Sequence, residues 1–133
     1  MGERVGASGG PLILVADDDP MIREFVCEVL AEAGFRTLDA NDGEEAAERA
    51  MEYQPAAIIM DVMMPNMDGY TTLTRLRGHP ATKQIPVIVL TGQAEPVYRT
   101  LSAGVGATAH LTKPFLPHEL TDILRQVLAE RSP

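Results

Sequence analysis

Cysteine, aromatic residues and basic residues are all scarce in this chain of 133 residues. The single cysteine, Cys27, excludes an internal disulfide and a zinc site built from cysteines. Lysine and arginine number 11 against 19 aspartates and glutamates, so the formal charge is −8 and unaided nucleic-acid binding is disfavoured. The apolar runs are far shorter than the roughly 20 residues of a membrane helix. We therefore expect a soluble, cytoplasmic protein without membrane insertion, whose acidic balance suits a cation or a basic protein surface.

The length and the apolar content predict one domain. Hydrophobic residues make up 45% of the chain, enough to form a buried core. Residues 1–11 are rich in glycine and lack the apolar run of a secretory signal, so we expect a flexible tail there. The folded domain is then expected over 12–130, with 131–133 as its C-terminal end.

Three continuous apolar runs predict buried strands. They are rich in valine, isoleucine and leucine and do not alternate with polar residues, a pattern typical of strands covered on both faces of a parallel sheet. These runs are Leu12–Ala16, Ala57–Met60 and Pro86–Leu90. Two weaker candidates are Phe35–Ala40, which could be an edge strand, and Ala107–Leu111.

Helical patterns lie between the predicted strands. The first follows Asp19-Pro20 and ends near Gly34, with apolar residues at helical spacing between them. Further helices are predicted over about 42–52, 69–76, 94–103 and 116–128. Such alternation predicts an α/β fold, a doubly wound parallel sheet with helices on both faces. Five strands and five helices in this length favour the flavodoxin-like strand order 2-1-3-4-5.

Polar residues follow four of the five predicted strands. Asp17 and Asp18 come after the first, Asp61 after the third, Thr91 after the fourth and Lys113 after the fifth. Because the carboxyl ends of parallel strands meet at one edge of the sheet, these side chains should converge on an acidic pocket. Clustered carboxylates favour a bound cation, and oxygen ligands suit Mg²⁺. An aspartate beside Mg²⁺, a lysine and a hydroxyl suits phosphoryl transfer through an aspartyl-phosphate.

At these positions the sequence resembles the receiver domain of response regulators in two-component signalling. The resemblance covers residues 12 to about 130. The motifs that carry it are LILVADDDPMIR (12–23), IIMDVMMPNMDG (58–69), PVIVLTG (86–92) and HLTKPF (110–115). It implies that Asp61 is the phospho-acceptor and that Thr91 and Lys113 contact the phosphoryl group. The implied Mg²⁺ ligands are Asp18, Asp17 mostly through water, Asp61 and the backbone carbonyl of Met63.

The resemblance also implies partners and a switch. A sensor histidine kinase or a histidine phosphotransfer protein would donate the phosphoryl group, and the receiver would promote only its own phosphorylation and dephosphorylation. An output protein would bind the face formed by the fourth predicted helix, the fifth predicted strand and the fifth predicted helix.

The family has tyrosine or phenylalanine three residues before the lysine, where this chain has His110. His110 is then a weaker or pH-sensitive switch together with Thr91, or a half-exposed histidine without a signalling role. We also expect a cis Lys113–Pro114 bond and a monomer or a weak phosphorylation-dependent dimer.

Other interpretations stay open at this point. The chain is either a stand-alone regulator or phosphate shuttle, or the receiver of a longer and possibly DNA-binding regulator. A Mg²⁺-dependent phosphohydrolase would need added structure for substrate recognition, and an unphosphorylated scaffold would be expected to lack one of the site residues. A flavin carrier is disfavoured by the acidic loop after the first strand, which would repel a phosphate.

Overall fold

The computed structural model of the protein describes residues 3–5, 10–62, 69–92 and 106–131, the first three and the last by backbone alone. The strands are β1 Glu3–Val5, β2 Leu12–Ala16, β3 Arg36–Ala40, β4 Ala57–Asp61, β5 Val87–Thr91 and β6 Ala109–Thr112. The helices of the described part are α1 Pro20–Glu32, α2 Gly43–Tyr53, α3 Gly69–Arg77 and α4 Pro117–Arg131. None of these helices is long and apolar enough to span a membrane. The fourth predicted helix, 94–103, lies outside the described residues.

The strands form a single sheet in the order β1-β3-β2-β4-β5-β6. The last five strands of this order are parallel and correspond to the five predicted strands, so the predicted order 2-1-3-4-5 is confirmed. Every residue of β4 and β5 is buried, which explains why their sequences are continuous apolar runs. These two central strands end at Asp61 and Thr91, two of the predicted site residues.

Two apolar cores cover the two faces of the sheet. On one face, α2 and α3 contribute Ala46, Ala50, Leu73 and Leu76. On the other face, α1 and α4 contribute buried side chains that include Val26, Leu30, Leu120 and Leu124. Cys27 is a buried member of this second core. The sheet with helices on both sides is the doubly wound architecture that the sequence predicts.

The N-terminal segment differs from the predicted flexible tail. Glu3–Val5 forms β1, which pairs antiparallel with β3 and so covers the edge that β3 was expected to expose. Gly10 and Pro11 are also tied to the domain, because the Arg36 amide donates to the Pro11 carbonyl at 3.0 Å and the Arg36 Nε donates to the Gly10 carbonyl at 2.8 Å. Backbone pairing of this kind carries little signal in side-chain composition, which explains why the tail sequence did not reveal it.

The N-terminus of α1 begins directly after the acidic loop. Asp19 caps the helix, and its carboxylate accepts a hydrogen bond from the Met21 amide at 2.9 Å. Pro20 occupies the first turn, and Gly34 follows the helix with a φ of 98°, a left-handed conformation that favours glycine. Because Asp19 serves the helix, Asp17 and Asp18 are left to form the site.

Candidate functional site

The carboxyl ends of the parallel strands bring the predicted residues to one edge of the sheet. Asp61 is the last residue of β4 and is paired in register with Leu90, next to Thr91 at the end of β5. Thr91 is paired with Thr112, which directly precedes Lys113. The Lys113 amide donates a hydrogen bond to the Thr91 carbonyl at 2.8 Å. The backbone therefore fixes Lys113 beside the end of β5.

Three carboxylates form a compact acidic cluster at this edge. One oxygen from each of Asp17, Asp18 and Asp61 lies within 4.8 Å of the others. Asp17 is 1% exposed and Asp61 is 7% exposed, whereas Asp18 faces solvent. Burial of two carboxylates so close together is unfavourable unless a cation compensates their charge.

Lys113 supplies one such charge. Its Nζ lies 2.8 Å from Oδ2 of Asp61 and 3.5 Å from Oδ2 of Asp17. Burial lowers the pKa of Lys113, but its hydrogen bond to Asp61 and the attraction of Asp61 and Asp17 outweigh this, so the pKa is raised overall. The lysine therefore stays protonated at neutral pH. The peptide bond between Lys113 and Pro114 is cis, as predicted.

The Lys113 ammonium does not fully compensate the cost of burying the Asp17 carboxylate. Burial raises the pKa of Asp17 from its ordinary 3.8 to about 6; a hydrogen bond from the Asp19 amide lowers it, and the neighbouring Asp61 raises it. Oδ2 of Asp17 is buried, and the Lys113 ammonium lies 3.5 Å from it, which is too far for a full-strength hydrogen bond; within the described residues this oxygen has no other hydrogen-bond partner. A buried carboxylate oxygen with unmet bonding capacity, beside two more carboxylates, is a donor set that fits a hard divalent cation such as Mg²⁺.

Thr91 and His110 lie on the same face of the sheet. Thr91 is 2% exposed, and His110 on β6 is half-buried and paired with Val89. In parallel strands, paired residues point to the same side, and alternate residues along one strand do so as well. Both side chains therefore face the side covered by α2 and α3. Met63, the predicted source of a carbonyl ligand, lies outside the described residues.

Arg23 of α1 is a further residue at this site that was not predicted from the sequence. Its Nη1 donates a hydrogen bond to the backbone carbonyl of Asp17 at 2.6 Å. One signal was present in the sequence, since an arginine at the start of a helix opposes the helix dipole. A residue that is locally unfavourable there is a candidate for a tertiary contact.

Comparison with known proteins agrees with this geometry. The response regulator receiver domain family matches residues 13–125. The chain belongs to this family. The phosphate regulon transcriptional regulatory protein PhoB of Escherichia coli K12 is 36% identical to the receiver over 121 residues, which are 91% of this chain and 53% of PhoB. The chain thus spans about half the length of the curated relatives it matches.

Two solved structures show the same fold. The chemotaxis response regulator CheY4 of Vibrio cholerae is 35% identical to the receiver with a TM-score of 0.84, and the match covers 89% of this chain and 98% of CheY4. The receiver domain of the sensor histidine kinase PA1611 of Pseudomonas aeruginosa PAO1 is 30% identical with a TM-score of 0.85. The match covers 91% of this chain and 99% of the PA1611 receiver domain. That structure has a magnesium ion coordinated in its active-site cleft.

Proposed function

We propose that this receiver accepts a phosphoryl group on Asp61 and thereby switches a surface that binds an output protein. The observation that carries the proposal is the position of Asp61. Its Oδ2 lies 2.8 Å from the Lys113 ammonium, and its carboxylate belongs to a cluster of three whose oxygens lie within 4.8 Å. This arrangement supplies a carboxylate nucleophile and positive charge in one shielded place.

In the proposed step, a carboxylate oxygen of Asp61 forms a bond to phosphorus. The phosphorus–nitrogen bond of a phosphohistidine donor breaks, and its electron pair leaves with the imidazole nitrogen. Lys113 pairs with the charged phosphoryl oxygens, and Thr91 at the end of β5 supplies a hydroxyl donor. Asp17, Asp18, Asp61 and the Met63 carbonyl would hold Mg²⁺, which when bound supplies further positive charge to those oxygens.

The proposed donor is a sensor histidine kinase or a histidine phosphotransfer protein. Exposed apolar surface beside the site supports a protein donor, because Phe25 of α1 is 40% exposed and its ring lies 6.1 Å from that of Phe115. Both rings line one surface groove with Lys113. Apolar surface of this kind next to a reactive group is typical of a protein-binding site. The receiver would promote only its own phosphorylation and dephosphorylation.

The proposed switch couples Thr91 to His110. The two residues share one face of the sheet, so a shift of Thr91 toward a phosphoryl group would change the space next to the His110 ring. His110 lies on β6, next to the last helix, and the fourth predicted helix would complete the output face. We infer that phosphorylation shifts this face between two conformations that bind an output protein differently. We further propose that the chain is a monomer or a weak phosphorylation-dependent dimer.

Mass spectrometry after incubation with acetyl phosphate and Mg²⁺ tests the proposal. We expect a single phosphate addition to the intact protein, absent from Asp61→Asn and from the wild type in EDTA. Labelling of Asp61→Asn, or no labelling of folded wild type, would contradict the proposal. Continued turnover of phosphate esters would instead favour the phosphohydrolase interpretation, because a receiver reacts once and then stalls.

A further inference from the structure

Arg23 makes a contact that its own helix does not explain. It lies near the start of α1, where a positive side chain opposes the helix dipole. Its Nη1 nevertheless donates a short hydrogen bond of 2.6 Å to the backbone carbonyl of Asp17. A charged donor on a backbone carbonyl is among the stronger hydrogen bonds in proteins. The contact therefore has a reason in the tertiary structure rather than in the helix.

A second contact holds the guanidinium in place. Nε of Arg23 lies 3.5 Å from Oδ2 of Asp39 on β3, and each side chain is 20% exposed. The backbone carbonyl of Asp39 in turn accepts a hydrogen bond from Arg49 of α2. The arginine is thus anchored on one strand while it bonds to the end of the next. Such anchoring limits the orientations that the guanidinium can adopt.

These contacts act on the peptide bond that joins Asp17 to Asp18. The Asp17 carbonyl accepts a hydrogen bond from Arg23, and the peptide before it is held separately by the hydrogen bond from the Asp17 amide to the Ala40 carbonyl at 3.2 Å. Because the carbonyl of Asp17 belongs to the peptide plane that leads into Asp18, the arginine fixes that plane. The plane sets the direction in which Asp18 leaves the strand end. Asp18 is solvent-exposed, so its placement depends on its backbone.

We propose that Arg23 is a positioning residue that orients the Asp17–Asp18 peptide so that both carboxylates face a divalent cation. The inference deepens the proposed function and rests on its Mg²⁺ site. The inference predicts that loss of Arg23 weakens Mg²⁺ binding, which is the opposite of what the change in charge alone would do. Removing a positive charge near a cation site would tighten Mg²⁺ binding by electrostatics, whereas loss of the orienting bond weakens it.

The test is the Mg²⁺ dissociation constant of Arg23→Gln, measured from the backbone amide shifts of the acidic loop during an NMR titration of the full chain. We expect the constant to rise about tenfold, in the range known for residues that orient metal ligands. Arg23→Lys should raise the constant at least as much, because it keeps the positive charge that opposes Mg²⁺ but lacks the planar guanidinium that makes the orienting bond. An unchanged or smaller constant for Arg23→Gln would overturn the inference.

Arg77→Gln is the matched control. Arg77 of α3 also donates to backbone carbonyls, those of Gly106 and Ile85, but these lie before β6 and β5, at the opposite ends of those strands from the acidic cluster. We expect its Mg²⁺ constant to match that of the wild type. An equal rise in both variants would mean general loosening and would overturn the inference. A wild type that binds no Mg²⁺ would overturn the proposed metal site itself, which separates the two failures.

Discussion

Asp17→Asn should stabilise the metal-free protein at neutral pH. The carboxylate of Asp17 is 1% exposed, and burial is the largest cause of its raised pKa of about 6, against an ordinary 3.8. A pKa difference of this size corresponds to about 3 kcal/mol at a pH above both values. An asparagine is never charged, and its amide oxygen can still accept the hydrogen bond from the Asp19 amide. This figure is the upper limit of the gain, because the amide nitrogen of the asparagine would take the place of Oδ2, 3.5 Å from the Lys113 ammonium.

The sign of the pH dependence follows from proton binding. Between about pH 4 and pH 6 the folded protein keeps the Asp17 proton that the unfolded chain has lost, so the contribution of Asp17 to the free energy of unfolding falls as the pH rises. Above about pH 7 this contribution is fully lost and the curve levels off. The Asn variant should lack this fall, and the difference between the two proteins should grow from pH 4 to pH 7.

Urea denaturation followed by far-UV circular dichroism measures this difference, since the chain has no tryptophan for fluorescence. The experiment is run in EDTA and repeated with Mg²⁺, where ligand binding should stabilise the wild type and reduce the gap. Asp18→Asn is the control, because its exposed carboxylate should give a smaller gain. An Asn variant that is no more stable than the wild type in EDTA at pH 7.5 would refute the reasoning.

Four further variants test the fold and the proposed switch. Thr37→Val should stabilise the protein by about 1 kcal/mol, because its buried hydroxyl has no hydrogen-bond partner within the described residues; Thr82→Val should destabilise it by a similar amount, because that hydroxyl donates to a backbone carbonyl at 2.7 Å. Gly69→Ala should lower the free energy of unfolding by about 2 kcal/mol, since a Cβ would lie 2.5 Å from Cα of Val62. An unchanged free energy of unfolding in this variant would show that the backbone at Val62 can shift to make room. His110→Ala should leave phosphorylation intact and weaken output-protein binding, and unchanged affinity would remove its switch role.

The raised pKa of Asp17 and the proposed role of the site have one physical origin. Within the part of the chain that the structure describes, two buried carboxylates and one exposed carboxylate lie beside the Lys113 ammonium, so three negative charges face one positive charge there. This arrangement opposes folding and favours a divalent cation. A gain in stability on removing the charge of Asp17 would be the expected signature of a residue kept for binding rather than for the fold.

The sequence by itself determined the sheet and the meeting of its strand ends. Continuous apolar runs identify β2, β4 and β5 because only strands covered on both faces need no polar side. Right-handed crossovers then leave few strand orders, and the carboxyl ends of parallel strands must share one edge. Asp61 and Lys113 could therefore be placed together although 52 positions separate them.

Contacts between different helices and strands that leave no periodic pattern in the sequence were decided only by the tertiary structure. The pairing of β1 with β3 joins backbone groups, which leave little trace in side-chain composition. The bond from Arg23 to the Asp17 carbonyl depends on how α1 lies against the ends of β2 and β3, and the pKa of Asp17 depends on how deeply that packing buries it. Periodicity records which residues are buried, but distances between polar groups arise only once the helices are docked.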